Sequence, residues 1–283
     1  MKISVIIPVY NASIFLDKSI QSALIQQQTG EVLLIDDRSS DDSLEICKRW
    51  EMKDSRVKVF VNEGVKGAGA ARNVGLRHAT CEYIAFMDAD DYYLEGRFDN
   101  TEKFFLENLE IHAVGEGVLV IDQNKLFNEK IVYSKSKEII DLKYFLIKSP
   151  IHLNGLTIRI SSLKSVKYFN ETLIQAQDSE FIIDLIYKSK VLSGYNNEVV
   201  STYIIHDSNT TKNENQRNIY RRLFYKNHVI KSIFEFHNIR LFFYFFKRYL
   251  YYDFLTESKN NLNPTKIKRL LLIPKNITNL IIK

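Results

Sequence analysis

Residues 82–91 read Glu82-Tyr83-Ile84-Ala85-Phe86-Met87-Asp88-Ala89-Asp90-Asp91, an apolar run that passes directly into three carboxylates. Aromatic and β-branched residues in a short block predict a buried strand over 82–87. The carboxylates then emerge together at the end of that strand, where their repulsion is costly without a cation. Alternate carboxylates in this position suit Mg2+ or Mn2+, with a diphosphate supplying further oxygen ligands. A solvated acidic turn or helix cap is the alternative, because turn geometry favours Asp.

Working outward, three similar runs precede this one, at 3–7, 31–36 and 57–61. Between them lie helix-like stretches at 13–28, 41–52 and 69–79; the first places Phe15, Leu16, Ile20, Ala23 and Leu24 on one face. Alternation of strand and helix predicts a parallel sheet with right-handed crossovers and a ligand site beyond the carboxyl ends of the strands. The residues after each strand are therefore the candidates. Pro8-Val9-Tyr10-Asn11 offers a rigid turn and a ring that stacks on a ligand or simply packs. In Asp36 to Asp42 one carboxylate can accept from a base N–H, while Asp41 and Asp42 read as helix caps. The small-residue loop from Asn62 to Asn73 allows close backbone approach and brings Lys66 and Arg72 near any phosphate. It has neither the Walker pattern nor the dinucleotide fingerprint.

Further on, strands are expected at 113–121, 155–160 and 198–205, with helices at 138–148 and after Asp178. Arg159 is a candidate phosphate neighbour or an ordinary strand-edge charge. His206 is either a metal ligand or a solvated loop residue, and His112 and His152 are taken as structural. From Arg217 on, the only carboxylates are Glu235, Asp253 and Glu257 among many Lys and Arg. The aromatic run Phe242–Tyr252 encloses Lys247 and Arg248, and a basic-apolar run follows at Lys266–Ile273. Neither run reaches the ~20 apolar residues of a membrane span. Both suit the lipid headgroup zone, or a helical cap packing on the catalytic part or on a second copy.

The 283 residues suffice for one large α/β domain or a catalytic domain with an appendage, and 45% hydrophobic content excludes a disordered chain. The net charge of +5, concentrated late, suits an anionic partner such as a lipid surface. Nucleic acid would satisfy the charge equally, but no nucleic-acid partner is expected. Cys47 and Cys81 form no disulfide framework or metal spacing, and Met1-Lys2 leads directly into an apolar strand, so a cytoplasmic setting is expected.

In this order and at these distances, Ser4–Asn11, Ile35–Ser39, Gly69–Gly75 and Tyr83–Asp91 resemble the family 2 glycosyltransferases. The resemblance is close over 1–98, looser to about 211 and absent beyond. It implies a GT-A fold: an α/β, Rossmann-like nucleotide-binding mixed sheet flanked by helices; beyond it the residues themselves read as a C-terminal helical extension. The resemblance further implies a catalytic domain over 1–211, with donor binding in 1–98 and the acceptor side in 99–211. Residues 212–283 would be a membrane-associating or oligomerising extension. Pro8, Tyr10 and Asp37 would frame the base of a UDP-sugar, Lys66 would lie near its phosphates, and Asp88 and Ala89 would face the nucleotide sugar. Asp90, with Asp88 and His206, would hold Mn2+ or Mg2+, and Asp91 would act behind them. Asp178 falls at the second position of the family's acidic pair and would be the base of an inverting transfer; Gln177 stands where the first acid is usual. That departure leaves a helix-cap role open for Asp178. The implied reaction moves a hexose or N-acetylhexosamine to a glycan or lipid-linked glycan acceptor of bacterial lipopolysaccharide, capsule or teichoic acid, at the inner face of the membrane. A sugar-nucleotide nucleotidyltransferase and an inactive nucleotide or glycan binder are the rivals. The first lacks its usual Gly-rich basic loop after strand one, and the second has Gln177 in its favour.

Overall fold

The computed structural model describes residues 1–123, 129–131, 139–148, 151–166, 168–173, 175–193, 198–206 and 214–257. By internal contacts the chain divides into two compact units, Met1–Glu171 with Asp178–Asp207, and Thr172–Gln177 with Ser208–Lys283. The expected boundary at 211–212 and the run Lys266–Ile273 lie outside the described residues.

The first unit opens with β1 (Ile3–Val9), α1 (Ser13–Leu24), β2 (Thr29–Asp36), α2 (Ser43–Lys53), β3 (Val57–Val61), α3 (Ala68–His78) and β4 (Tyr83–Phe86). It continues with α4 (Asp99–Glu107), β5 (Ala113–Gly115), β6 (Gly117–Asp122), β7 (Glu129–Ile131), α5 (Leu142–Lys148) and a 3-10 turn at Leu153–Gly155. Then come β8 (Leu156–Arg159), α6 (Gln177–Lys188), β9 (Val191–Ser193) and β10 (Val199–Ile205). Among the described residues the larger sheet has the order β3-β2-β1-β4-β8-β5-β9, and a smaller one runs β10-β6-β7. β3, β2, β1 and β4 are mutually parallel, as the alternation predicts, and β8 enters antiparallel to β4.

β1 is apolar without alternation because both of its faces are covered. Ile3, Val5 and Ile7 join the core that holds Leu16 and Ile20 of α1. Ile6, on the opposite face, meets α3 at Gly75, where an added Cβ would stand 2.5 Å from Ile6 Cγ2. Gly75 therefore sets how closely α3 lies on the sheet.

Two boundaries differ from expectation. The strand expected at 113–121 is two strands in different sheets, divided at Glu116. The Glu116 side chain turns inward to meet the fully buried Arg97 at 2.6 Å, and its N–H bonds to Gly155 O at 2.9 Å, so the chain leaves one ladder before joining the next. The helix expected over 13–28 stops at Leu24, because Thr29 donates its hydroxyl to Ala23 O at 2.7 Å and Gln26 Nε2 donates to Ser22 O at 2.9 Å. These side chains take the carbonyls that another turn would have used.

The second unit contains an antiparallel pair, α7 (Glu214–Phe234) and α8 (Ile239–Glu257). Asn238 begins α8 by accepting from the N–H groups of Arg240 and Leu241. Phe224, Phe245 and Tyr252 are buried, Tyr225 stacks on Tyr252, and Arg222 meets Asp253 at 2.5 Å. Among the described residues no helix is long and apolar enough to cross a membrane.

Candidate active site

Parallel register brings the carboxyl ends of β1, β2, β3 and β4 to one edge, with Val9 opposite Asp36, Asp36 opposite Val61 and Ile6 opposite Phe86. Pro8 lies within β1, opposite Ile35. The chain leaves β1 and β2 through left-handed backbone at Asn11 (φ 49°) and Arg38 (φ 61°). Tyr10 is 48% exposed and carries the Lys66 ammonium 3.9 Å from its ring centroid. Asp37 is buried and anchors the loop that supplies Lys66. Its Oδ1 accepts from Asn62 Nδ2 and its Oδ2 from the Gly67 N–H, both at 2.7 Å. Asp41 serves two helix starts, accepting from the N–H groups of Ser13 and Ser43.

The strand-end carboxylates have three different surroundings. Asp88 is partly exposed and meets Arg72 of α3 at 2.5 Å. Arg72 Nε and Nη1 are buried without a hydrogen-bond acceptor. Ala89 is buried, and Asp90 Oδ2 lies 2.9 Å from His206 Nε2. The His206 ring stacks on Phe15 with centroids 4.8 Å apart. Burial, then repulsion from Asp88, pushes Asp90 above the usual carboxylate range against the bond from His206. Asp91 is 2% exposed and accepts from Asn154 Nδ2 and from the Ile204 N–H, both at 2.6 Å. Burial, followed by the charges of Asp88 and Asp90, raises it well above the ordinary value. Burial and mutual repulsion thus oppose the charged forms of Asp90 and Asp91, and a nearby cation would favour them. Among the described residues no three His, Cys, Asp or Glu side chains converge into a ready-made metal site. The donor types nevertheless fit a hard to borderline divalent ion, since Asp88 and Asp90 offer oxygens and His206 an imidazole nitrogen.

Asp178 is half-buried in the first turn of α6, together with Glu180, whose Oε2 accepts from Asn170 Nδ2 at 3.0 Å. Phe181, three residues on, stacks on Phe169 at 4.3 Å, and Phe169 is held by Asn73 of α3 through its N–H and C=O, both at 2.9 Å. The dipeptide Arg72-Asn73 therefore grips Asp88 with one residue and the segment before α6 with the other. Of the two readings of Arg159 the structure favours the strand-edge charge, since Arg159 stands opposite Tyr83 and bonds to Tyr83 Oη at 2.7 Å and to Glu82 at 3.0 Å. That is the start of β4, away from the acidic end of the strand.

Two residues at this edge carry no recognisable motif. His152, read from the sequence as structural, is held below the ordinary imidazole range by desolvation, against the charges of Asp88, Asp178 and Asp90 and with that of Arg72. Its Nδ1 accepts from the Asn154 N–H at 3.3 Å, which leaves Nε2 as the protonated nitrogen of the neutral ring. Asn154 itself is fully buried. The only local signal for it is Gly155, where an added Cβ would lie 2.4 Å from Glu116 O.

A family model described as Glycosyl transferase family 2 matches residues 4–166, more than half of the chain. The chain belongs to glycosyl transferase family 2. This transferase is similar to an uncharacterized glycosyltransferase of Haemophilus influenzae, 31% identical over 83% of this chain and 93% of that protein. Similarity to a Rickettsia conorii glycosyltransferase is 45% but spans 38% of this chain and 18% of that protein. The Escherichia coli UDP-Glc:alpha-D-GlcNAc-diphosphoundecaprenol beta-1,3-glucosyltransferase WfaP is 27% identical over 82% of this chain and 86% of its own length. Among solved structures, S. aureus TarS 1-349 in complex with UDP-GlcNAc superposes with a TM-score of 0.68 at 21% identity, covering 92% of this chain and 74% of that one. The mannosyltransferase PcManGT of Pyrobaculum calidifontis, in complex with GDP-Man and Mn2+, gives 0.59 at 15% identity, covering 99% and 84%. The architecture is the GT-A fold of these enzymes. Family membership sets aside the nucleotidyltransferase alternative.

Proposed function

We propose that this glycosyltransferase moves a hexose or N-acetylhexosamine from a UDP-sugar to a sugar hydroxyl of a bacterial surface-glycan precursor, with inversion at the anomeric carbon. The observation that carries this reading is the gathering of Tyr10, Asp37, Lys66 and the acidic turn Asp88–Asp91 at one edge of the sheet. The UDP-GlcNAc bound by TarS and the UDP-Glc named for WfaP support the donor class. WfaP also supports inversion, because a β-linked product from α-linked UDP-glucose is an inverted one. Its diphosphoundecaprenol acceptor supports a lipid-linked glycan here.

In this reading Pro8 and Tyr10 flank the base and Asp37 accepts from it through lone pairs not used by Asn62 and Gly67. Lys66 moves from the Tyr10 ring to the donor phosphates, while Asp88 and Ala89 border the nucleotide sugar. Asp88, Asp90 and His206 would hold Mn2+ or Mg2+, which when bound supplies positive charge against the leaving diphosphate. Asp178 takes the proton of the acceptor hydroxyl as that oxygen attacks the anomeric carbon and UDP departs. Calorimetry of UDP binding tests the arrangement: chelation, or Asp90→Ala, is expected to weaken UDP by about tenfold or more. Unchanged affinity in both cases removes the metal assignment. Hydrolysis of a panel of UDP-sugars with Mn2+, followed without an acceptor, identifies the donor.

The α7–α8 pair is assigned to the cytoplasmic membrane surface. Phe234, Ile239, Phe243 and Tyr251 are exposed at 71%, 65%, 49% and 46% among Arg and Lys side chains, the combination that suits anionic headgroups. Association with a second copy is the competing use of the same surface.

A further inference from the structure

Asn154 stands at the centre of the 3-10 turn before β8 and is 0% exposed, yet every polar group of its amide is engaged. Its Oδ1 accepts the Asp88 N–H at 3.3 Å. Its Nδ2 donates to Asp91 Oδ2 at 2.6 Å and to Thr202 O at 3.0 Å. The same residue thus touches both ends of the acidic turn and the strand β10.

Asp91 completes the connection from the other side, since its Oδ1 accepts the Ile204 N–H at 2.6 Å. Thr202 N–H donates to Tyr92 O at 3.0 Å, and Tyr92 N–H donates to Thr202 Oγ1 at 3.0 Å. Residues 202, 204 and 206 share one face of an extended chain, and a slip by one residue would turn all of them away. The clamp on Thr202 and Ile204 therefore decides whether His206 reaches Asp90, where it now lies at 2.9 Å.

We infer that Asn154 is a positioning residue that sets the spacing of Asp90 and His206 and thereby the affinity of the site for a divalent cation. The inference rests on the reading that Asp88, Asp90 and His206 hold that ion. An amide is required because the position must donate twice and accept once. A carboxylate would oppose Asp91, and an apolar side chain would leave Asp88 N–H, Asp91 and Thr202 O without this partner.

The test measures Mn2+ affinity of the full chain by the paramagnetic signal of the free ion, with and without UDP, together with UDP affinity in chelator and the thermal melt. Asn154→Ser is expected to weaken Mn2+ by about 10–100-fold, the range for groups that orient metal ligands, with metal-free UDP affinity unchanged. The exchanged pair Asp91→Asn with Asn154→Asp restores one donor facing one carboxylate and is expected to recover part of the loss made by Asn154→Asp alone. Wild-type Mn2+ affinity in a folded Asn154→Ser protein overturns the inference. So does parallel loss of Mn2+ binding, metal-free UDP binding and cooperative melting, which marks a purely structural role. If Asn154→Ser does not fold, the exchanged pair decides, and folding without recovery of Mn2+ affinity overturns the inference. A wild type that takes up no Mn2+, with Asp90→Ala indifferent, overturns the metal reading and this inference with it.

Discussion

At the scale of the residue, Asp178 separates chemistry from binding. Asp178→Asn keeps the shape and caps a helix about as well as Asp, but cannot take a proton. Transfer is expected to fall by about 10²–10⁴-fold with UDP and Mn2+ affinity nearly constant. A variant within a few-fold of wild type returns Asp178 to a helix-end role and turns the search for the base to Glu180 or Glu171. Gln177 does not decide the matter, because it is buried to 8% exposure, where a neutral amide avoids a second charge beside Asp178. Asp88 to Asp91 were legible as a group because a strand pattern ran directly into them. The resemblance grouped Asp90 with His206 and put Asp91 behind them, but it did not reveal the contacts of Arg72 with Asp88 and of Asn154 with Asp91, which join residues 16 and 63 apart. Spacing along the chain carries no record of such meetings.

At the scale of the element, β1, β2 and β4 were legible because strands covered on both faces read as apolar runs, and the edge strand β3 because it is rich in β-branched residues. The 113–121 segment was not, because the break depends on Arg97 reaching Glu116 from a distant part of the chain. A second polar group, Glu31 at the start of β2, ties neighbouring elements together. Its Oε1 accepts from Ser4 of β1 at 2.6 Å and from the Thr80 N–H at 2.6 Å, and Lys58 of β3 meets its Oε2 at 2.8 Å. Burial alone would raise this carboxyl, but the bonds from Lys58, Ser4 and Thr80 outweigh it and hold Glu31 down at about 2. A carboxyl lowered on folding contributes stability that is fully present above its unfolded value, near 4.5, and is lost as the pH falls toward 2. Glu31→Gln is therefore expected to cost about 1–3 kcal/mol at neutral pH. The gap from wild type in denaturant melts should narrow between pH 4.5 and 2. A gap that stays constant with pH would show that Glu31 acts by shape alone.

At the scale of the whole molecule, the proposed use of a lipid-linked acceptor makes the exposed apolar side chains of the α7–α8 pair the place to test for membrane contact. Phe234 and Ile239 are the most exposed of its large apolar side chains, at 71% and 65%, so replacing both with Ser removes little internal packing. Liposome sedimentation with anionic vesicles should then fall, and activity on lipid-linked acceptor with it, while UDP affinity and the thermal melt stay near wild type. Wild-type sedimentation should weaken as salt is raised, because the Lys and Arg charges act through a screening length of about 8–10 Å at 0.10–0.15 M. Neutral vesicles should retain less protein than anionic ones for the same reason. A double variant that sediments as well as wild type, but changes from a dimer or larger assembly to a monomer on gel filtration, would assign the apolar surface to contact between copies of the chain. Salt-insensitive sedimentation lost in the double variant would instead point to apolar insertion without electrostatic attraction. The two contributions are thus separable in one experiment, since salt acts on the Lys and Arg side chains and the Ser substitutions act on Phe234 and Ile239 alone.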